Sequence, residues 1–516
     1  MVLVERRVWR AARPRLARVE QAVVPRLARA ARAVRPRSGR FTTPQLTGVA
    51  ALLGLALAAG LVTAAGPWDS AGQRTAERDR ATAWDREGGA DHGGGSGATG
   101  DAPAPAPSAA SVLAALGAVT GDTGPQTPAG LTHVLDPLLR DASLGPRRSA
   151  VVLDVASGRR LYAKGADDAL TPASTTKIAT AVAVLSAAGP DHRFTTRAML
   201  EPGGDKLVLV GGGDPTLTAR EKADGASLRT LAEKTATALK QRHVTSVALS
   251  YDTSLFAGKA LHPIGVNPNL AEVTALMADE GRADAATSGP ADRVPDPAAD
   301  AARTFGDLLG RHGIKTSAPR AAKATPHART VAFAQSPPLS AVVERMLTTS
   351  DNDIAEALAR QTALATGGRP SFDGGGAAIA AQLKKLGLPL KGAHFGDGSG
   401  LNRDDRTTAG LLTALLATAG SPAHPELRTV LTGLPVAGFT GTLSDRYEDD
   451  AQRFGIGVVR AKTGSLTGVN ALAGTVVDTE GRLMAFAFLT DGSMDQTTAR
   501  AALDRMAAAL AHCGCR

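Results

Sequence analysis

Cysteine is almost missing from this chain of 516 residues: there are two, Cys513 and Cys515, both at the C-terminal end. A body of about 450 residues without an internal cysteine has no disulfide framework. It also has no zinc site of the four-cysteine or the mixed cysteine–histidine kind. The terminal pair reads as a tail without a role, with a strained local loop or a link to another chain as the alternatives. Aromatic residues make up only 3% of the chain, too few for a surface that stacks nucleic-acid bases. Basic charge is scarce outside the N-terminus. The formal net charge is +9, but residues 1–40 hold twelve Arg and two Glu, a local +10, so the rest is near neutral. A basic tail beside a neutral body does not argue for nucleic acid as a partner.

One long uncharged run is present, Leu46 to Gly66. It is long enough to cross a bilayer as a helix. The basic residues before it place the tail 1–45 in the cytoplasm and the remainder outside. Residues 46–66 are thus expected to be a transmembrane anchor or signal segment. A retained anchor is preferred, although Thr63-Ala64-Ala65-Gly66 would permit cleavage. Pro14, Pro25 and Pro36 break the tail into short pieces and weaken its reading as a membrane-surface helix. Residues 67–127 form a linker. Its centre, Gly93–Ala109, is rich in Gly, Ala, Pro and Ser and cannot bury enough surface to fold.

Order is expected from about Leu131. Leu131–Leu139 reads as a helix, and Ala150–Val155 with Arg160–Ala163 as a hairpin. Thr171 is a candidate N-cap with Pro172 at N1 of a helix through Ala188, stopped by Gly189-Pro190. Late in the chain Gly457–Lys462, Val469–Val477 and Leu483–Leu489 read as strands, and Thr497–Ala511 as a closing helix. The stretch 196–334 reads as an inserted module between two parts of one body, 128–195 and 335–516. It includes the strands Lys206–Val210 and Val247–Tyr251. Strands flanked by an early and a late helix indicate an α/β sandwich with an antiparallel sheet.

Three short motifs follow one another on this framework: Ser174-Thr175-Thr176-Lys177, Ser350-Asp351-Asn352 and Lys462-Thr463-Gly464. A serine hydroxyl is a poor nucleophile and needs a base within hydrogen-bond reach. Lys177, one helical turn from Ser174, is placed to be that base, provided that burial or a nearby cation such as Lys462 depresses its pKa. Backbone N–H groups at the helix start suit an oxyanion. Ser350 can pass a proton to a leaving amine, and Asn352 can bond an amide through donor and acceptor. Lys462 with the hydroxyls of Thr463 and Ser465 suits a carboxylate. Gly464 permits another backbone to approach the strand, and the Ser465 N–H is a candidate second oxyanion donor.

The ordered set S-x-x-K, S-D-N, K-T-G is the signature of penicillin-binding proteins and serine β-lactamases. Over residues 130–510 the chain resembles the low-molecular-mass penicillin-binding proteins of the D-alanyl-D-alanine carboxypeptidase/endopeptidase type, peptidase family S13. The resemblance extends to Thr171–Lys177, to Val208–Val210 leading into Gly213-Asp214-Pro215-Thr216-Leu217, to Asp252 with Phe256, and to Gly396-Asp397-Gly398-Ser399-Gly400-Leu401. These last segments read as structural turns. The resemblance implies a penicillin-binding/β-lactamase-like α/β sandwich carrying an inserted, mainly β-containing module. It implies a serine DD-peptidase in the extracytoplasmic cell-wall space, acting on peptidoglycan stem peptides through an acyl-enzyme on Ser174. β-Lactam antibiotics would acylate the same serine, and no cofactor or metal is implied. The module is expected to be dispensable for chemistry. His262-Pro263-Ile264-Gly265-Val266-Asn267 stands where the family usually carries aromatics, which puts the module's packing in question. A class A β-lactamase would need a Glu in an E-x-x-L-N loop. Pro425-Glu426-Leu427-Arg428 lacks the Asn. A binding or sensing ectodomain is the non-enzymatic alternative.

Overall fold

The computed structural model describes residues 128–221 and 225–512. The basic tail, the run 46–66, the linker 67–127 and the two cysteines lie outside the described residues. Among the described residues no helix is long and apolar enough to cross a membrane.

The chain opens with helix α1 (Pro128–Leu139), strands β1 (Arg147–Asp154) and β2 (Arg160–Lys164), and helix α2 (Thr176–Ala188). Next come β3 (Thr195–Leu200), β4 (Lys206–Val210), α3 (Leu228–Lys240), β5 (Ser246–Asp252), α4 (Pro297–Arg311), β6 (Lys315–Thr316), β7 (Arg320–Ala321) and β8 (Arg329–Gln335). A helical run follows: α5 (Leu339–Thr349), α6 (Asn352–Ala365), α7 (Phe372–Lys385), α8 (Ala409–Gly420) and the short α9 (Arg428–Thr432). Strands β9 (Val459–Leu466), β10 (Val469–Val477) and β11 (Leu483–Asp491) and helix α10 (Gln496–His512) close the chain.

The first and last strands meet in one antiparallel five-stranded sheet, ordered β2-β1-β11-β10-β9. Side chains alternate across it, as the period of two requires. Ala471, Ala473, Ala485 and Ala487 face the helices α2, α5, α6 and α8. Leu472, Val476, Phe486 and Phe488 face α1 and α10. Alanines on the first face let α2 lie close. Every residue of α2 from Thr176 to Leu185 is buried, so this helix is central rather than amphipathic.

Residues 195–335 form a second, six-stranded sheet ordered β6-β5-β4-β3-β8, with β7 also on β5. The β4–β5 and β5–β6 pairs are parallel, so each needs a crossover. Helices α3 and α4 supply it and bury Leu231, Leu239, Phe305 and Leu309 against Leu207 and Leu249. The stretch expected to be mainly β thus carries two amphipathic helices as well.

Candidate functional site

The turn before α2 departs from the cap expected at Thr171. Ala173–Thr175 is a separate 3-10 turn, and Thr171 instead takes a bond from Arg406. Ala173 has φ 48°, a left-handed conformation that costs a non-glycine residue roughly 1–3 kcal/mol and is held only by its surroundings. Those surroundings are two close backbones. A Cβ on Gly464 would lie 2.6 Å from the Pro172 carbonyl oxygen, and one on Gly400 (φ 83°) would fall inside the Ala173 carbonyl. Two glycines therefore clamp the turn that carries Ser174.

Lys177 is fully buried. Its Nζ lies 3.0 Å from Ser174 Oγ, 2.7 Å from Asn352 Oδ1 and 2.7 Å from the Ser399 carbonyl oxygen. The Asn352 amide is oriented by its Nδ2, which donates to the Asn269 carbonyl at 2.9 Å. Two of the three Lys177 partners are acceptors only. A neutral amine that spends its two N–H groups on them turns its lone pair toward Ser174. Burial pushes Lys177 down to about 8, against the opposing charges of Asp397, Glu356, Asp351 and Asp353. Burial, more than the neighbouring lysine, is thus the cause. Lys462 is pushed well down as well, first by burial and then by Lys177 and Arg446.

Ser350 caps the C-terminus of α5 in the left-handed region (φ 61°). Asp351 starts α6 by accepting the Ile354 N–H at 2.9 Å. Helix end and helix start together aim Ser350 and Asn352 at one place. Lys462 Nζ donates to Ser350 Oγ and to the Thr463 carbonyl, both at 2.8 Å. Strand β9 is the sheet edge beside this pair. On it the Thr463 hydroxyl meets that of Thr442 at 2.8 Å, and Ser465 Oγ accepts from Arg500 at 3.3 Å. The eight candidate residues lie on this turn (Ser174), the first turn of α2 (Lys177), this helix junction (Ser350, Asn352) and this edge strand (Lys462, Thr463, Gly464, Ser465). Glu426 is elsewhere, in a short helical turn paired with His424.

Several groups around the site were not legible as such. The Ser399 carbonyl, in a segment that reads from sequence as a structural turn, is a direct partner of Lys177. Asp397 beneath it accepts N–H groups from Gly400, Asn402 and Ser399, and Glu356 accepts those of Gly398 and Ser399. Burial works against the Asp397 carboxylate, yet bonds from His262, Gly400, Asp405 and Asn402 hold it low. Asp405 is pushed up to about 9 by burial and by the charge of Asp397. The sequence signal for this segment is its resemblance to the family over Gly396–Leu401. His262, Glu356 and Asp397 are close enough to share a metal ion, but the carboxylates already serve protein N–H groups. The segment after β5 also reaches the site: besides Asn269 and His262, the Ala271 N–H donates to Asp353 at 2.9 Å, and Glu280 pairs with Arg345 of α5. An inserted module set apart from the chemistry does not match these contacts.

The antiparallel sheet, the central helix behind its serine and the two Ser–Lys contacts define the penicillin-binding/β-lactamase-like class of α/β protein. Penicillin binding protein 4 of Haemophilus influenzae shares this fold, at a TM-score of 0.60 and 22% identity over 74% of this chain and 98% of that one. Within the class the chain belongs to the D-Ala-D-Ala carboxypeptidase 3 (S13) family, whose model matches residues 131–290 and 280–512. It is a peptidase hydrolase of that family. It is 35% identical to a carboxypeptidase of Mycobacterium tuberculosis over 430 residues, 80% of this chain and 90% of that protein. Carboxypeptidase DacB of Mycolicibacterium smegmatis is also 35% identical, over 435 residues and the same shares. A D-alanyl-D-alanine carboxypeptidase of Actinomadura is 29% identical over 442 residues, 70% of this chain and 81% of that enzyme.

Proposed function

We propose that the chain is a serine DD-carboxypeptidase that cleaves D-Ala-D-Ala ends of peptidoglycan stem peptides, and D-Ala cross-links as an endopeptidase, through an acyl-enzyme on Ser174. The observation that carries this is the Lys177 amine held between Ser174 Oγ, Asn352 Oδ1 and the Ser399 carbonyl. Neutral Lys177 takes the Ser174 hydroxyl proton as Oγ attacks the penultimate D-Ala carbonyl carbon. The oxyanion faces the backbone N–H groups of Ser174 and Ser465. As the tetrahedral centre collapses, the C–N bond breaks and the leaving amine takes the proton that Lys177 accepted, relayed through the hydroxyl of Ser350, which Lys462 hydrogen-bonds; Lys177 is neutral again. Water then attacks the ester carbonyl carbon and gives a proton to Lys177; the C–O bond to Ser174 breaks, and Ser174 Oγ takes that proton back as the carboxylic acid leaves.

Lys462, Thr463 and Ser465 hold the terminal carboxylate of the substrate, and Asn352 bonds its amide. Gly464 keeps β9 close to the nucleophile turn. A penicillin acylates Ser174 by the same attack, its ring amide opening while the acyl group stays. The names of the relatives in Mycobacterium and Actinomadura support the carboxypeptidase reading. Such a substrate places the body in the extracytoplasmic cell-wall space. Residues 46–66 would then anchor or export it, residues 67–127 would hold it off the lipid, and residues 128–195 with 335–516 would form the catalytic domain around the module 196–334. D-Ala release from a D-Ala-D-Ala pentapeptide tests the reading: wild type releases D-Ala and Ser174→Ala does not. Release by Ser174→Ala at the wild-type rate refutes the assignment.

A further inference from the structure

His262 lies between β5 and α4, outside the three motifs. It is 2% exposed, and its ring meets that of Phe372 edge-on at 4.8 Å. Nδ1 accepts the Ile264 N–H at 3.2 Å, so the ring proton is on Nε2. That nitrogen donates to Asp397 Oδ2 at 3.1 Å. Asp397 Oδ1 accepts the Gly400 N–H at 2.6 Å. The Gly400 N–H and the Ser399 carbonyl belong to one peptide plane and point in opposite directions. Fixing the N–H on Asp397 therefore turns the carbonyl away from it, toward Lys177 Nζ 2.7 Å off. A continuous path runs from the imidazole through a carboxylate and one rigid peptide to the amine on Ser174.

We propose that His262 is a positioning residue for the Ser174 reaction: through Asp397 and the Ser399–Gly400 peptide it aims the Ser399 carbonyl at Lys177 and so holds Nζ on Ser174 Oγ. The inference rests on Lys177 being the base. It makes the segment after β5 a support of the catalytic groups, although the ring nitrogens of His262 bond Asp397 and Ile264 and neither Ser174 nor Lys177. The path also carries charge. The carboxylates facing Lys177 are Asp397, Glu356, Asp351 and Asp353, with Asp397 foremost. Lys462 is the facing amine. Asp405 and His262 flank Asp397, and Arg360 flanks Glu356. Loss of the Nε2 donor leaves Asp397 readier to take a proton. Its charge is then withdrawn from Lys177, and the neutral amine persists to lower pH.

The test compares the full-length wild type with H262F and H262Q. H262F keeps an aromatic ring against Phe372 and brings no N–H. H262Q brings a neutral N–H and no ring. We expect H262F to lose about tenfold in kcat for D-Ala release, with KM little changed, since small misplacements of a base are costly. Its acid limb for acylation by a penicillin should move to lower pH, and H262Q should recover both. Rates are referred to the folded fraction by melting curves. H262F with wild-type kcat and limb overturns the inference and leaves the acyl-enzyme reading standing. So does a lowered melting temperature with an unmoved limb, or an H262Q as slow as H262F at unchanged Tm. A wild type that no penicillin acylates overturns both.

Discussion

Raising the pH from 7 to 9 should switch on this site through Lys177. Its amine is fully buried, and its pKa is depressed from 10.5 to about 8. The neutral form, the only one that can take the Ser174 proton, is then roughly a tenth of the enzyme at pH 7 and nine-tenths at pH 9. A solvent-exposed lysine would be neutral about 300-fold less often at pH 7, because each unit of pKa is a factor of ten. Acylation efficiency should therefore rise about tenfold between pH 7 and 9, with its midpoint near 8. The second-order rate constant of a chromogenic penicillin, measured by stopped flow across that range, reads this directly. Lys177→Arg, which cannot lose its proton, should be slower by about 10²–10⁴ at every pH. A rate that is flat from pH 6 to 9, or that climbs unbroken toward 10.5, would refute the argument that burial prepares the base. So would substantial activity of Lys177→Arg.

Other consequences follow from the same geometry. Lys462→Ala removes a buried amine and the partner of Ser350, so kcat/KM for a D-Ala-D-Ala peptide should fall by about 10²-fold while Tm changes little. A large drop in Tm with unchanged kinetics would contradict its role. Gly400→Ala places a methyl group in the Ala173 carbonyl at a left-handed φ, so urea denaturation should show a loss of roughly 2 kcal/mol or more together with lost acylation. Asp405 holds its proton up to about 9 when folded, against an ordinary value of 3.8. The folded chain thus binds the extra proton, and its stability falls as pH rises between those values. Asp405→Asn removes that slope, so the variant should gain on wild type by up to about 1 kcal/mol per unit between pH 5 and 8. Parallel stability curves would contradict the protonated Asp405.

Much of the molecule could be read from local pattern. Strands β4 and β10 fall on the residues their apolar runs marked, and the three motifs stand in order on helix, loop and strand as their chemistry requires. What could not be read was set by distant contacts. The chain at Ser174 looks like the first turn of a capped helix. In the fold it is a 3-10 turn, because Gly464 and Gly400 press on Pro172 and Ala173 from elements almost 300 and more than 220 residues away in sequence. Strand β9 starts at Val459 because Gly457 turns with φ 76°. Gly374-Gly375-Gly376 weakens any helix by propensity, yet α7 runs through it. A Cβ on Gly375 would sit 3.1 Å from Ala359, and one on Gly376 would strike the Phe395 carbonyl, so bare backbone lets α7 lie against α6. The support of Lys177 by Ser399, Asp397 and His262 joins three separated segments, a junction that no local pattern records.

The central claim is that Ser174 carries the acyl group. Intact mass of the full-length protein with and without a penicillin, followed by peptide mapping, tests it most directly. The account predicts one adduct per chain, on the peptide that contains Ser174, and none on Ser174→Ala. No adduct on the wild type, or equal labelling of Ser174→Ala, would contradict it.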